Sequence, residues 1–215
     1  MSVYTPPQEP LLYIHVDAHI IVIDKPAGLL SVPGRGEDKA DCAVSRVEAD
    51  YPGALTVHRL DMATSGLLIL ARSKEIQAAL SRMFELGQME KEYLADVCGL
   101  PDPPTGMIDL PLITDWPNRP RQKVDHDIGK PSRTRYETME TGPSGARLRL
   151  RPLTGRSHQL RVHLAEIGHP ILGDDLYAHP EAHAAAPRLL LHASALGFNH
   201  PYTGDRFHIT LPCPF

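Results

Sequence analysis

Apolar residues recur along this chain in two rhythms, and their order sets the expected architecture. Two apolar runs, LLYIHV at 11–16 and HIIVID at 19–24, are separated by the turn-like DAH and predict adjacent strands. KPAGLLSVPG (25–34) follows as a loop bounded by proline and glycine. Residues 40–50 carry a weak helical pattern that stops before Tyr51-Pro52-Gly53. GLLILARS (66–73) predicts a buried strand, and KEIQAALSRMFELG (74–87) a helix closed by Gly87. KEYLADVCGL (91–100) alternates after Lys91 and predicts another strand, whereas the proline-rich stretch 101–120 is expected as a long connection without regular periodicity. SRTRYETME (132–140) and ARLRLRPL (146–153) alternate with period two, predicting an antiparallel pair with basic outward faces. SHQLRVHLAEIG (157–168) predicts a helix with Ser157 as its N-cap and Gly168 beyond its end. RLLLHASALGF and FHITLP supply the last strands.

Strands outnumber helices and read as antiparallel, so the class is α+β rather than a doubly wound sheet. Neither an internal repeat nor a linker interrupts the pattern. The expected organisation is a flexible N-terminal arm over 1–10 and a single domain over 11–215. The arm, MSVYTPPQEP, has neither the basic nor the apolar segment of a signal peptide. No segment approaches the roughly 20 uninterrupted apolar residues that span a bilayer, so no membrane partner is expected. Three widely spaced cysteines, Cys42, Cys98 and Cys213, form no C-x-x-C pattern and fit a reducing cytoplasm. A monomer is the default expectation.

Charge changes the picture through its distribution. The net charge is -4, yet the segment from Trp116 to Arg161 holds eleven Lys or Arg against four Asp or Glu. That segment is therefore strongly basic on an otherwise acidic chain, which suits a polyanion bound on one face. Arg119, Arg121, Lys123 and Arg156 belong to it.

The candidate chemistry centres on HRLDMATSG at 58–66, where Asp61 follows an arginine-leucine pair and precedes a Thr-Ser-Gly corner and an apolar strand. With no second carboxylate beside it, an acid/base couple of the glycosidase type is not indicated. One carboxylate kept ionised by guanidinium neighbours suits a nucleophile, though a structural ion pair with Arg59 remains the bland alternative. Metal binding is disfavoured. His158 and His163 are five apart and do not stack on one helical face, while His179 and His183 flank Pro180. Asp174-Asp175 after Gly173 reads as a turn and cap rather than a magnesium site. No phosphate-binding glycine motif is present, so no nucleotide cofactor is expected.

HRLDMATSG, followed by KEYLA and then RPLTGRSHQLRVHLAEIGHPILGD, resembles the RluA-type pseudouridine synthases. KPAGLLSVPG and the late RLLLHA fit the same family, and the matches run in order from about Ile20 to the C-terminus. DLPLITDWPNRPRQKV is similar to a subgroup acting on both tRNA and 23S rRNA. The chain resembles the short form without an N-terminal S4-type RNA-binding domain. The resemblance implies a mixed, mostly antiparallel sheet flanked by helices, with a central active-site cleft. It implies an isomerase that converts a loop uridine of structured RNA to pseudouridine without cofactor or metal. Asp61 matches the catalytic aspartate, Tyr93 the active-site tyrosine that stacks on uracil, and Arg161 the arginine that pairs with the aspartate. The target base must be flipped out of its stack. Arg59 is the candidate to fill the vacated space, with His58 in support. Arg119, Arg121, Lys123 and Arg156 are expected on phosphates, and Leu191 is expected to pack as core. A non-catalytic RNA binder of the same fold is the alternative.

Overall fold

The computed structural model describes residues 4–142 and 145–215, so Met1–Val3 of the expected arm lie outside the described residues. In chain order the elements are β1 (Leu12–Val16), β2 (Ile20–Lys25), α1 (Ala43–Asp50), β3 (Leu55–Thr56), β4 (Ser65–Ala71), α2 (Lys74–Glu85), β5 (Glu90–Cys98), β6 (Thr105–Asp109), β7 (Leu112–Thr114), β8 (Gln122–Val124), β9 (Arg133–Gly142), β10 (Gly145–Pro152), α3 (Gln159–Glu166), α4 (Pro180–Ala184), β11 (Leu191–Asn199) and β12 (Arg206–Thr210). The described residues gather into two compact units, one running up to Glu90 and joined by His192–Pro214, the other drawn from Lys91–Leu191 with Phe215.

In the first unit the strands run β1-β2-β4-β11, with β12 beside β11 and β3 beside β4. β2 pairs antiparallel with β4 from Ile20↔Ala71 to Lys25↔Gly66. β4 and β11 pair in parallel, through His192↔Ser65 and Ala193↔Gly66. All seven residues of β4 are buried, which is why its sequence is apolar throughout instead of alternating. Ile20, Val22, Leu67, Ile69, Leu80 and Phe198 form the centre of the core there. Helix α2 joins that core through Ile76 and Leu80, and the Ser73 hydroxyl caps it by accepting from the Ile76 amide at 3.3 Å.

The second unit is built on the antiparallel order β5-β10-β9-β6, with β7 and β8 forming a separate hairpin. The alternation expected of 146–153 is present: Ala146, Leu148 and Leu150 are buried while Arg147, Arg149 and Arg151 face outward. Together the units form an α+β fold in which these ladders are antiparallel apart from β4–β11. No helix among the described residues is long and apolar enough to cross a membrane.

Two expectations need correction. The stretch 101–120 is not an unstructured connection, since it holds β6 and β7. Both are too short for a legible period, and their ladders come from partners far along the chain, β9 for β6 and β8 for β7. Helix α3 starts one residue later than expected: His158, not Ser157, is the N-cap, in a left-handed conformation with φ 54. Such backbone costs a non-glycine residue about 1 kcal/mol. The hydrogen bond between His158 Nδ1 and the Tyr177 hydroxyl, 2.7 Å, helps hold it there.

Candidate active site

The loop from His58 to Thr64 hangs between β3 and β4, and the backbone on either side of Asp61 is held by buried groups. On one side, the Ser31 hydroxyl donates to the Leu60 carbonyl at 2.7 Å and accepts from the Leu60 amide at 3.0 Å. On the other, the Met62 carbonyl accepts from the Gly28 amide at 2.8 Å and from the Lys25 ammonium at 3.1 Å. Lys25 is wholly buried, and its ammonium also donates to the carbonyls of Pro26 and Leu29, each at 2.8 Å. A buried cation is tolerated only where such acceptors replace its water. The Asp61 carbonyl takes the Thr64 amide at 3.1 Å, closing the turn. Asp61 itself is half-buried and Arg59 is exposed.

His58 is engaged with protein. Its Nε2 accepts from the Ile69 amide at 3.1 Å and its ring stacks on Phe84 with centroids 4.5 Å apart. Immediately after the loop, Ser65 Oγ and His192 Nδ1 are hydrogen-bonded at 3.0 Å, both side chains buried. Gly66 follows with φ 111, and a Cβ there would stand 2.4 Å from the Ala193 carbonyl oxygen. A glycine at 66 is thus required by the close parallel approach of β11.

In the second unit, Tyr93 lies on β5 opposite Leu150 of β10 and is half-buried. Lys91, two residues earlier on the same face of the strand, is held below the ordinary lysine pKa by burial. Arg161 sits on α3 with 3% of its side chain exposed. Its Nε donates to Asp174 Oδ2 at 2.8 Å and its NH2 to Asp174 Oδ1 at 2.6 Å, a bidentate fork, with a further bond to Asp175 at 2.9 Å. Asp174 is equally buried and also accepts from the Leu176 and Tyr177 amides, so the expected turn is present. The Arg161 guanidinium lies 5.2 Å from the Tyr177 ring centre, and Arg121 lies 5.3 Å from the same ring. The Tyr177 hydroxyl accepts from the Gln122 amide at 2.8 Å, tying the β7–β8 hairpin to this cluster. His163 is buried between Thr134 Oγ1 and the Leu110 carbonyl, each at 3.0 Å, and burial lowers its pKa. His158 and His163 therefore serve different partners, as their spacing of five implies.

The basic segment divides on inspection. Arg147 forks onto Asp96 at 2.7 and 2.8 Å, Arg149 reaches Glu137 at 3.0 Å and Glu92 at 3.3 Å, and Arg151 reaches Glu92 at 3.0 Å. The expected basic outward face of β10 is thus largely neutralised, because β5 contributes acids from outside the counted segment. Arg119, Arg121, Lys123 and Arg156 are all exposed. Arg119 stacks on Trp116 at 3.5 Å, Lys123 has a loose contact with Asp125 at 3.6 Å, and Arg156 donates to the Pro131 carbonyl at 3.4 Å. Sequence reasoning missed Lys25, Ser31, Asp174 as the partner of Arg161, Tyr177 and His192. Only the lysine left a signal, as a charge directly abutting an apolar strand.

Residues 19–166 match the model of a family described as RNA pseudouridylate synthase. The chain is 52% identical over 217 residues to the dual-specificity RNA pseudouridine synthase RluA of Escherichia coli (strain K12), covering 100% of this chain and 99% of that protein. It is 48% identical over 206 residues to the protein of the same name from Yersinia pestis, covering 95% of this chain and all of that one. Among solved structures, human RNA pseudouridylate synthase domain containing 1 superposes with a TM-score of 0.79 at 27% identity, covering 100% of this chain and 86% of that one. On these grounds the chain belongs to the RNA pseudouridylate synthase family and is an isomerase that converts uridine to pseudouridine in RNA.

Proposed function

We propose that this chain is a dual-specificity synthase that modifies a loop uridine in a tRNA anticodon stem-loop and in 23S rRNA, with Asp61 as its nucleophile. End-to-end identity of 52% to relatives named for dual specificity supports the substrate range. The observation that carries the assignment of Asp61 is the fixing of its loop, at Leu60 by Ser31 and at Met62 by Lys25 and Gly28. A reacting carboxylate gains most when its backbone is positioned before the substrate arrives.

The reaction breaks the N1–C1′ bond, turns the uracil, forms the C5–C1′ bond, and exchanges the C5 proton for one on N1. It is redox-neutral and its atoms balance, so it consumes no co-substrate, and we assign no cofactor and no metal. Asp61 attacks as the nucleophile, and Tyr93 stacks on the freed uracil and assists loss of the C5 proton. Arg161, whose own orientation is set by Asp174, is assigned to orient the nucleophile. Arg59, exposed two residues before Asp61, fills the stack when the uridine flips. We further assign a monomeric, cytoplasmic enzyme, in keeping with three free cysteines.

The test is tritium release from C5-tritiated uridine, in an anticodon stem-loop and in a 23S rRNA hairpin, by wild type and Asp61→Asn. Release from both RNAs by wild type and from neither by the variant is expected. Release undiminished in the variant would overturn Asp61, and release from one RNA alone would overturn dual specificity.

A further inference from the structure

The tip of the β7–β8 hairpin is ordered yet carries a large apolar ring into water. Its strands are in register from Leu112↔Val124 to Thr114↔Gln122. Across the tip, Asp115 N donates to Arg121 O, Asn118 N to Asp115 O and Arg121 N to Asn118 O, all at 3.0 Å. The Asn118 amide group adds a bond to the Asp115 carboxylate at 2.9 Å. Against this fixed backbone Trp116 is 63% exposed. The Arg119 guanidinium lies 3.5 Å from the ring centre, close enough for plane-on-plane stacking. Trp116 is the only tryptophan of the chain.

We propose that Trp116, backed by Arg119, is a stacking site for one unpaired nucleobase of the RNA loop. This rests on the reading of the chain as an RNA-modifying enzyme. Three observations point to a base as the occupant. The indole is held on a hydrogen-bonded turn instead of being folded into the core. A planar cation covers one of its faces, which polarises the ring and leaves the rest of its surface to a planar ligand. The nearby charges favour a polyanion: Arg119, Arg121 and Lys123 are all exposed, whereas Asp115 is bonded to Asn118 and Asp125 lies beside Lys123. Arg119 thereby changes role. Its guanidinium belongs to the stack, and the neighbouring phosphate falls to Arg121 and Lys123. Base–aromatic stacking is tolerant of base identity, so one site of this kind could serve two RNAs of different loop sequence.

The sole tryptophan makes the proposal directly readable. The Asp61→Asn variant, expected to hold substrate without turnover, is titrated with the anticodon stem-loop while tryptophan emission and filter retention are followed together. Emission should be quenched as RNA is retained, and removing one loop base at a time should abolish quenching at a single position. Trp116→Ala in the otherwise wild-type chain should raise KM for tritium release about tenfold or more, with a smaller change in kcat. Trp116→Phe, which keeps a stackable ring, should stay within about threefold. Thermal melts of both variants should match wild type, as the ring is outside the core. Retention without quenching, or equal KM for Trp116→Ala and wild type, would overturn the stack while leaving the synthase assignment intact. Absence of both retention and tritium release with either RNA would overturn the assignment, and this inference with it.

Discussion

The second unit makes the same chemical bond, guanidinium to carboxylate, in two very different settings. Arg161 and Asp174 meet with 3% and 1% of their side chains exposed. Along β10, Arg147 pairs with Asp96 at 25% and 23%, and Arg151 with Glu92 at 56% and 25%. In the first setting neither ion has water to fall back on, so each depends on the other. In the second, water and salt compete with the partner, and most of the attraction is cancelled by screening and side-chain entropy. The difference separates two uses of arginine that composition cannot distinguish. The buried fork fixes the orientation of one guanidinium in the interior, and the exposed ladder joins strands and removes positive charge from the face that the sequence makes look most attractive to RNA.

The largest expected effect comes from breaking the buried fork. Asp174→Asn leaves the Arg161 charge in the interior with only Asp175 remaining of this pair of acids, and Asp175 is largely exposed. Removing one member of a buried pair costs about 3–5 kcal/mol, and the lower end applies because Asp175 and the asparagine oxygen both persist. Urea denaturation should show a lower midpoint at unchanged slope, and tritium release should fall with it. A loss under about 1 kcal/mol would place this pair in the same class as the ladder on β10.

How much of this was legible follows from where each partner lies. The β1–β2 pair, β4 and α2 were readable because local pattern and burial agree there. Ser73 and Gly87 bound α2 within its own sequence, and β4 needs no alternation when all its residues are inside. Asp61, Tyr93 and Arg161 could be named from motifs, but motifs carry no partners. Arg161 is tied to Asp174 thirteen residues away in an irregular turn, and Arg147 to Asp96 across 51 residues. Only the β5–β10 register makes the second pair, so a charge count along the chain overstated the free positive charge. β6 and β7 escaped for a related reason: a strand of three to five residues shows no period of its own and exists because a neighbour pairs with it.

Asp17 tests the ground between the two extremes. It lies in the turn between β1 and β2 with 31% of its side chain exposed, His15 Nε2 at 2.8 Å and His200 Nε2 at 3.4 Å. Burial alone would raise its pKa. The His15 hydrogen bond and the amides of Ile20 and His19 outweigh burial and bring it to about 2, from 3.8. Because the folded value is the lower one, the stabilisation is complete above about pH 4 and is lost as pH falls toward 2. At about 1.4 kcal/mol per pH unit the shift sets a ceiling of roughly 2.5 kcal/mol, which solvent screening at this exposure reduces to about 1–2 kcal/mol. The stability gap between wild type and Asp17→Asn should therefore hold its full size above about pH 4 to 5 and shrink to little as pH falls to 2. A gap that stayed constant down to pH 2 would mean that the ionised carboxylate contributes nothing beyond its shape.

The smallest effect is expected where the ladder is most crowded. Glu92 serves both Arg149 and Arg151, yet Arg149 keeps Glu137 as a second acceptor and Arg151 is more than half exposed. Glu92→Gln should cost no more than about 1 kcal/mol, and raising salt to 1 M should erase most of the difference from wild type. The same substitution frees positive charge on β10, so it also tests whether the ladder competes with RNA for those arginines. If neutralisation is what keeps β10 out of the RNA interface, Glu92→Gln should tighten filter retention at low salt and steepen its salt dependence while leaving kcat alone. A stability loss as large as that of Asp174→Asn would instead show that exposure is the wrong variable by which to separate the two sets of arginines.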